Sequence, residues 1–249
     1  MLATLLTPTM LLGLGAVFLA GVTSGLTGFG FALVTVPILV IVLPPKVVVP
    51  IISLLSNLTH AIIVVETWRW LQPRRIWPLM VTGIIGIPLG TYLLLALDAQ
   101  TLKIMIGVVT ALAALALLVG FSRPVRNERL AFFPIGFISG LLSGSTAMGG
   151  PPVVLFLTNQ GADKQVCRAN FTLFFTITSL VAIPSQLAGG LLTGEVWTYA
   201  LAFSPALLLG TFVGIRLARI MTDKAFRKLT LAIIILTGMS AVASGLGIL

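Results

Sequence analysis

Residues 10–43 contain no charged side chain, and a run of that length exceeds what one ordinary membrane span requires. In its middle stands GVTSGLTGFG, residues 21–30, with Pro37 just beyond. Each glycine weakens a helix by about 1 kcal/mol relative to alanine and proline removes a backbone donor, so a continuous helix through this stretch is disfavoured. The arrangement recurs. Residues 130–158 form a second overlong run, interrupted by GLLSGSTAMG at 140–149 and followed by Pro151 and Pro152. Gly21, Ser24, Gly25, Thr27 and Gly30 match Gly140, Ser143, Gly144, Thr146 and Gly149 at a constant spacing of 119 residues. Each overlong run is expected to break into two short half-helices joined at its Gly/Ser/Thr stretch.

Six more apolar runs lie near 46–66, 76–97, 100–121, 164–188, 195–221 and 223–248. With 58% apolar and 8% charged residues the chain cannot cover a water-soluble surface of this size, which makes it an integral membrane protein. Uncharged runs of helical length, without the ten-residue alternation of an outer-membrane barrel, leave a helix bundle as the spanning structure. The net charge of +9 sits between the apolar runs, where it reports orientation rather than nucleic-acid binding. Cys167 is the single cysteine, which excludes an intramolecular disulfide and a multi-cysteine metal site and fits a small packing residue. The start, MLATLLTPTMLLGLG, has no basic region before its apolar segment and is expected to stay in the mature protein.

A second landmark extends the repeat: GIPLG at 86–90 aligns with GTFVG at 210–214, in the same order along the chain. The expected organisation is repeat 1 at 1–121, a cytoplasmic linker at 122–129 and repeat 2 at 130–249, each repeat being one broken segment plus three full helices. Charge decides their relative orientation. If each broken segment returns to the side it left, only Lys46 and Lys103 lie on one side. Arg69, Arg74, Arg75, Arg123, Arg126, Arg129, Lys164, Arg168, Arg216, Arg219, Lys224, Arg227 and Lys228 lie on the other. If it crosses once, the bias disappears. The expected fold is an all-α, polytopic membrane bundle of two inverted repeats with both termini outward. The charges fix parity only, so the segments are either re-entrant or short tilted spans.

An unwound backbone at membrane depth survives only against protein or a water-filled cavity, so two matched breaks point to a site between the halves, as in secondary transporters. Half-helix amino termini present free N–H groups and partial positive charge, which suits an anion. The candidate contacts are backbone around Thr27, Gly28, Gly30, Gly149 and Gly150, with the hydroxyls of Ser24, Thr27, Ser143, Ser145 and Thr146. Gly21/Gly25 and Gly140/Gly144 have the spacing of close helix packing instead. On the helix at 46–66, Ser53, Ser56, Asn57 and His60 share a face, and Asn57 and His60 join the candidates because large polar groups at depth are costly without a use. His60 is the one side chain there able to titrate near neutrality and could carry a coupling proton, or be a neutral, hydrogen-bonded histidine. The counterpart helix offers Asn170, with Thr172, Thr176 and Ser179 on one face and Gln186 further on; any such hydroxyl could equally be interhelical glue. Acidic residues fall near helix ends, so a carboxylate relay has little to work with and an anion fits better. GLTGFG lacks the β-α-β frame and following acidic residue of a dinucleotide loop. No cofactor, metal site or catalytic set is expected, because His60 is the only histidine and there is no Cys/His/Asp cluster.

Together, GVTSGLTGFGFALVTVPIL, GFISGLLSGSTAMGGPPVVLFL and the helix start ADKQVCRAN make the chain resemble the sulfite exporter TauE/SafE family, also called the 4-toluenesulfonate uptake permease family, over essentially its whole length. The resemblance implies a multi-pass protein of a bacterial-type inner membrane. It further implies alternating-access transport of small sulfur-containing anions such as sulfite, sulfoacetate or related organosulfonates. A proton or a sodium ion is the candidate coupling ion. Where other members carry near-continuous glycines, this chain has Phe29 and Phe31 in the first copy and Ala147 and Met148 in the second, implying an apolar wall for an organic sulfonate. A passive anion channel and a non-transporting membrane scaffold are the competing readings.

Overall fold

The structure is a computed structural model that describes residues 8–119, 127–161 and 163–222. The apolar run 223–248, linker residues 122–126 and both termini lie outside the described residues, and the expected outward orientation of the termini with them. The described chain is helical, without strands: α1 (Pro8–Thr27), α2 (Phe31–Val42), α3 (Pro45–Thr67), α4 (Pro73–Ala96), α5 (Ala99–Val119), α6 (Glu128–Thr146), α7 (Gly150–Asn159), α8 (Lys164–Ala188) and α9 (Gly194–Ile220), with a 3-10 turn at Trp68–Trp70. Five helices, starting at Met10, Pro45, Pro73, Lys164 and Gly194, are long and apolar enough to cross a membrane.

Both overlong runs break inside their Gly/Ser/Thr stretches, but the pieces are unequal. The leading pieces α1 and α6 have 20 and 19 residues. The trailing pieces α2 and α7 have 12 and 10 residues, about 18 and 15 Å at 1.5 Å per residue, well short of a hydrocarbon core of about 30 Å. Only the second half of each segment is a short half-helix. Pro37 does not end α2, and Pro50, Pro88, Pro184 and Pro205 likewise lie inside helices. In lipid, a backbone that leaves the helix has no water to bond, so neighbouring groups re-satisfy what proline frees and the helix continues. Buried hydroxyls follow the same rule. Thr35, Thr67, Thr110 and Thr172 each donate at 2.7 Å to the carbonyl four residues back.

The glycines of the recurring sequence motifs are also packing surfaces. Gly21 and Gly25 of α1 face Leu207–Ile215 of α9, while Gly210 and Gly214 of α9 face Phe18–Leu26 of α1. Gly140 and Gly144 of α6 meet Gly83–Thr91 of α4, and Gly86 and Gly90 of α4 meet Phe137–Ser145 of α6. An added Cβ at these positions would run into backbone, so small residues let the helices approach to van der Waals contact, which drives association where lipid is as apolar as leucine. Residue numbers rise together across each interface, so both pairs are parallel. The opening helix of each half thus packs on the fourth helical segment of the other. Outward faces of the partner helices carry exposed apolar stripes, Trp77, Val81, Ile85, Leu89 and Tyr92 on α4 and Trp197, Leu201, Leu209 and Phe212 on α9.

Helices α3 and α8 lie between these pairs and run antiparallel, with Ser53 bonded to Gln186 toward one end and Glu66 paired with Arg168 at the other. Lys46 at the start of α3 donates to the Leu95 carbonyl at the end of α4 (2.9 Å), and Lys164 at the start of α8 donates to Ala218 and Met221 at the end of α9. Arg75 pairs with Glu128 at 2.7 Å, and Asn127 caps α6 by accepting the Leu130 amide, so helix begins inside the expected linker. These contacts put Arg69, Arg74, Arg75, Arg129, Lys164, Arg168, Arg216 and Arg219 at one end of the bundle and Lys46 and Lys103 at the other.

Candidate functional site

The two breaks are built alike. In the first, the Gly28 amide bonds to the Ser24 carbonyl at 2.7 Å, and the Thr27 hydroxyl accepts the Phe29 amide at 3.3 Å. In the second, the Ala147 amide bonds to the Ser143 carbonyl at 3.0 Å, and the Thr146 hydroxyl accepts the Met148 amide, again at 3.3 Å. Gly28 and Ala147 occupy equivalent places and both have left-handed backbone, with φ 82° and 60°. The chain then doubles back: Gly30 sits against Thr23, and Gly149 sits against Ser139 and Ser143 of the helix just left. Each short helix therefore returns alongside its longer partner.

The amino end of α2 is open. Gly30 holds a φ of 90° and no side chain caps the helix, so the first-turn amides lack both an intrahelical and a side-chain acceptor. The amino end of α7 is poorer in donors, because Pro151 and Pro152 follow Gly150 and carry no N–H. The anion-attracting dipole is thus presented mainly by the first break.

Between the breaks lies a cavity of about 50 Å³, room for a small polyatomic ion or a few waters. Gly30–Leu33 of α2, Ser53, Ser56 and His60 of α3, Ser143, Met148 and Gly150 of the second break, and Phe175, Thr178 and Ser179 of α8 line it. No lining side chain is acidic, lysine or arginine. Ser53 accepts from Gln186 Nε2 at 2.9 Å and Thr178 donates to the Phe175 carbonyl at 3.1 Å, which fixes their orientation. The hydroxyls of Ser143 and Ser179 bond to no protein group among the described residues. His60 is buried against the Phe175 ring, centroids 5.3 Å apart, with no partner for Nδ1 among the described residues. Phe29, Phe31, Met148 and Phe175 supply much of the apolar lining, interleaved with these polar groups: Phe29 and Phe31 flank Gly30, and Phe175 stacks on His60.

Of the residues expected at the site, Gly30, His60, Ser143 and Gly150 reach the cavity. Thr27, Ser145 and Thr146 do not, because their hydroxyls close the breaks or bond within their helices. Ser24 is fully buried, its hydroxyl without a partner among the described residues, Gly28 abuts the Arg168 backbone, and Gly149 abuts Ser139 and Ser143. Asn57 flanks the serine–histidine face of α3 without lining the cavity, and Asn170 accepts the Gln72 amide at 3.0 Å, tying down the α3–α4 connection.

The sulfite exporter TauE/SafE profile matches residues 13–241. The chain belongs to the sulfite exporter TauE/SafE family. A curated relative, the probable sulfite/organosulfonate exporter TauE of Cupriavidus necator (strain H16), is 26% identical over 252 residues, covering 96% of each chain. No solved structure matches. As a TauE/SafE member the chain is a multi-pass membrane transporter and not an enzyme.

Sequence reading missed Phe175 and Thr178 as lining residues, although Ser179 was legible on the α8 face. The repeat held the signal: adding 119 to Ser56 and His60 gives Phe175 and Ser179, both in the cavity. Arg168, which in the sequence served only the orientation count, has a fully buried side chain paired with Glu66.

Proposed function

We propose that this TauE/SafE protein is a secondary transporter that moves small sulfur-containing anions, sulfite or an organosulfonate such as sulfoacetate, out of the cytoplasm across a bacterial-type inner membrane. It works by alternating access of two inverted repeats. The observation that carries the reading is the cavity where both helix breaks meet, free of acidic, lysine and arginine side chains and lined together by the uncapped start of α2, serine hydroxyls without a partner among the described residues, and aromatic rings. An oxyanion takes amide and hydroxyl donors without needing a buried cation, and an organic tail takes the rings. The inverted arrangement rests on α3 and α8, which match at the 119-residue spacing and run antiparallel, and on the reciprocal α1–α9 and α4–α6 packing. The orientation rests on the cluster of arginines at one end.

The test is a proteoliposome flux panel of sulfite, sulfate, thiosulfate, sulfoacetate and taurine with and without a proton gradient. Gradient-dependent, saturable flux of sulfite or a sulfonate is the expected result. Unsaturable conductance without coupling would instead make the protein a channel, and no flux of any sulfur anion would overturn the reading.

A further inference from the structure

Outside the cavity, one charged side chain among the described residues is fully buried. Arg168, in the first turns of α8, has no exposed side-chain surface, and its Nη2 donates at 2.7 Å to the Gly25 carbonyl near the end of α1. Its Nη1 lies 3.0 Å from Gln165 Oε1 and 3.2 Å from Glu66 Oε2 at the end of α3. The match to Glu66 is poor. Among the described residues, Oε2 makes no properly directed hydrogen bond and the Arg168 Nε–H has no acceptor. Arg219, largely exposed at the end of α9, reaches the other oxygen of the same carboxylate at 3.6 Å. Two guanidiniums therefore converge on one carboxylate, leaving net positive charge beside the first break, with the Glu66 side chain 15% exposed and Arg219 largely in solvent.

The repeat itself does not require this pair. At the 119-residue spacing, Arg168 corresponds to Val49 and Glu66 to Ser185. Val49 sits in an apolar cluster with Leu94, Leu102 and Leu191, and Ala147 of the second break packs on it. One end of the α3–α8 pair is closed by carbon contacts, the equivalent place at the other by an ill-fitting ion pair. A guanidinium binds a multi-oxygen anion through two parallel N–H groups, and the unfilled Nε–H is one such group.

We infer that Arg168 is a second anion site, at which the sulfo group of the transported anion displaces the Glu66 carboxylate and frees α3 from α8 at the arginine-rich end. This rests on the proposed transport reading for the identity of the anion. Entry from that side and opening of that side are then one event, since the same anion that arrives removes the contact holding the helices together.

Cys167 is buried next to Arg168, its Sγ 4.0 Å from the Leu157 carbonyl of α7, and is the only cysteine, so a rise in its reactivity reports loosening of this end of α8 without engineered labels. In the purified full-length protein, sulfoacetate, which does not consume a maleimide as sulfite would, should raise the Cys167 labelling rate at least threefold over equal chloride. Glu66→Gln should raise it at least as far without sulfoacetate and should lower the KM for sulfoacetate at that face about tenfold, because the competing carboxylate is gone. Glu66→Asp, which keeps the charge but shortens its reach, should fall between if Glu66→Gln does not fold. Labelling of the wild type that ignores sulfoacetate, or Glu66→Gln with labelling and KM within twofold of wild type, overturns the inference. Because labelling is read without flux, absence of transport would refute the functional reading separately.

Discussion

Thr27 and Thr146 illustrate how a residue in the right motif can do a different job from the one its position promises. Each hydroxyl accepts the amide two residues ahead, so both stabilise the break and neither faces the cavity. Ser179 is the converse: nothing among the described residues holds its hydroxyl, and it lines the cavity. Ser179→Ala should therefore leave the melting temperature in detergent unchanged while raising the KM of the transported anion about fivefold, the equivalent of one net hydrogen bond of about 1 kcal/mol. Asn170→Ala should do the opposite, orphaning the Gln72 amide at a cost of about 1–3 kcal/mol without shifting relative substrate preference. Flux kinetics and thermal unfolding of the two variants separate the roles. His60 is the titratable side chain on the cavity wall, and His60→Gln should keep anion exchange between equal pools but lose accumulation driven by a proton gradient. Undiminished accumulation would assign the coupling elsewhere.

Among elements, the glycine pairs decide which helices meet. Gly86 sits so close to the Phe137 carbonyl of α6 that any Cβ must displace backbone, whereas Gly15 on α1 has open space around its Cβ position. Gly86→Val should destabilise the protein by at least 1–3 kcal/mol through overpacking and shift it toward aggregates on size-exclusion chromatography. Gly15→Ala should be neutral or slightly stabilising, by up to about 1 kcal/mol, since it adds helix propensity without contact. Equal behaviour of the two would mean that the α4–α6 crossing is not as close as described. The breaks themselves were legible because glycine and proline act locally. The unequal halves were not, since where a helix resumes depends on what receives its free amides, and Pro37 was absorbed within α2 by its surroundings.

At the scale of the molecule, the arginine-rich end and the Lys46 end should face opposite compartments. In a Cys167→Ala background, Arg74→Cys should react with an impermeant thiol reagent only from the cytoplasmic side and Gln100→Cys, exposed at the other end, only from outside; labelling of both from one side would refute the proposed topology. The sequence alone determined the membrane class, the helical architecture and the place of both breaks. Those depend on hydropathy, chain length and local backbone preference, all of which act over a few neighbouring residues. Only tertiary structure decided which polar groups meet. Whether Ser143 or Ser145 opens into the cavity is a matter of helix rotation, and whether Arg168 solvates in a loop or is buried on Glu66 depends on α3 and α8 coming together from nearly 100 residues apart. A side chain's chemistry is written in its own code letter, but its partner is set by packing between distant segments, and local preferences carry no information about that.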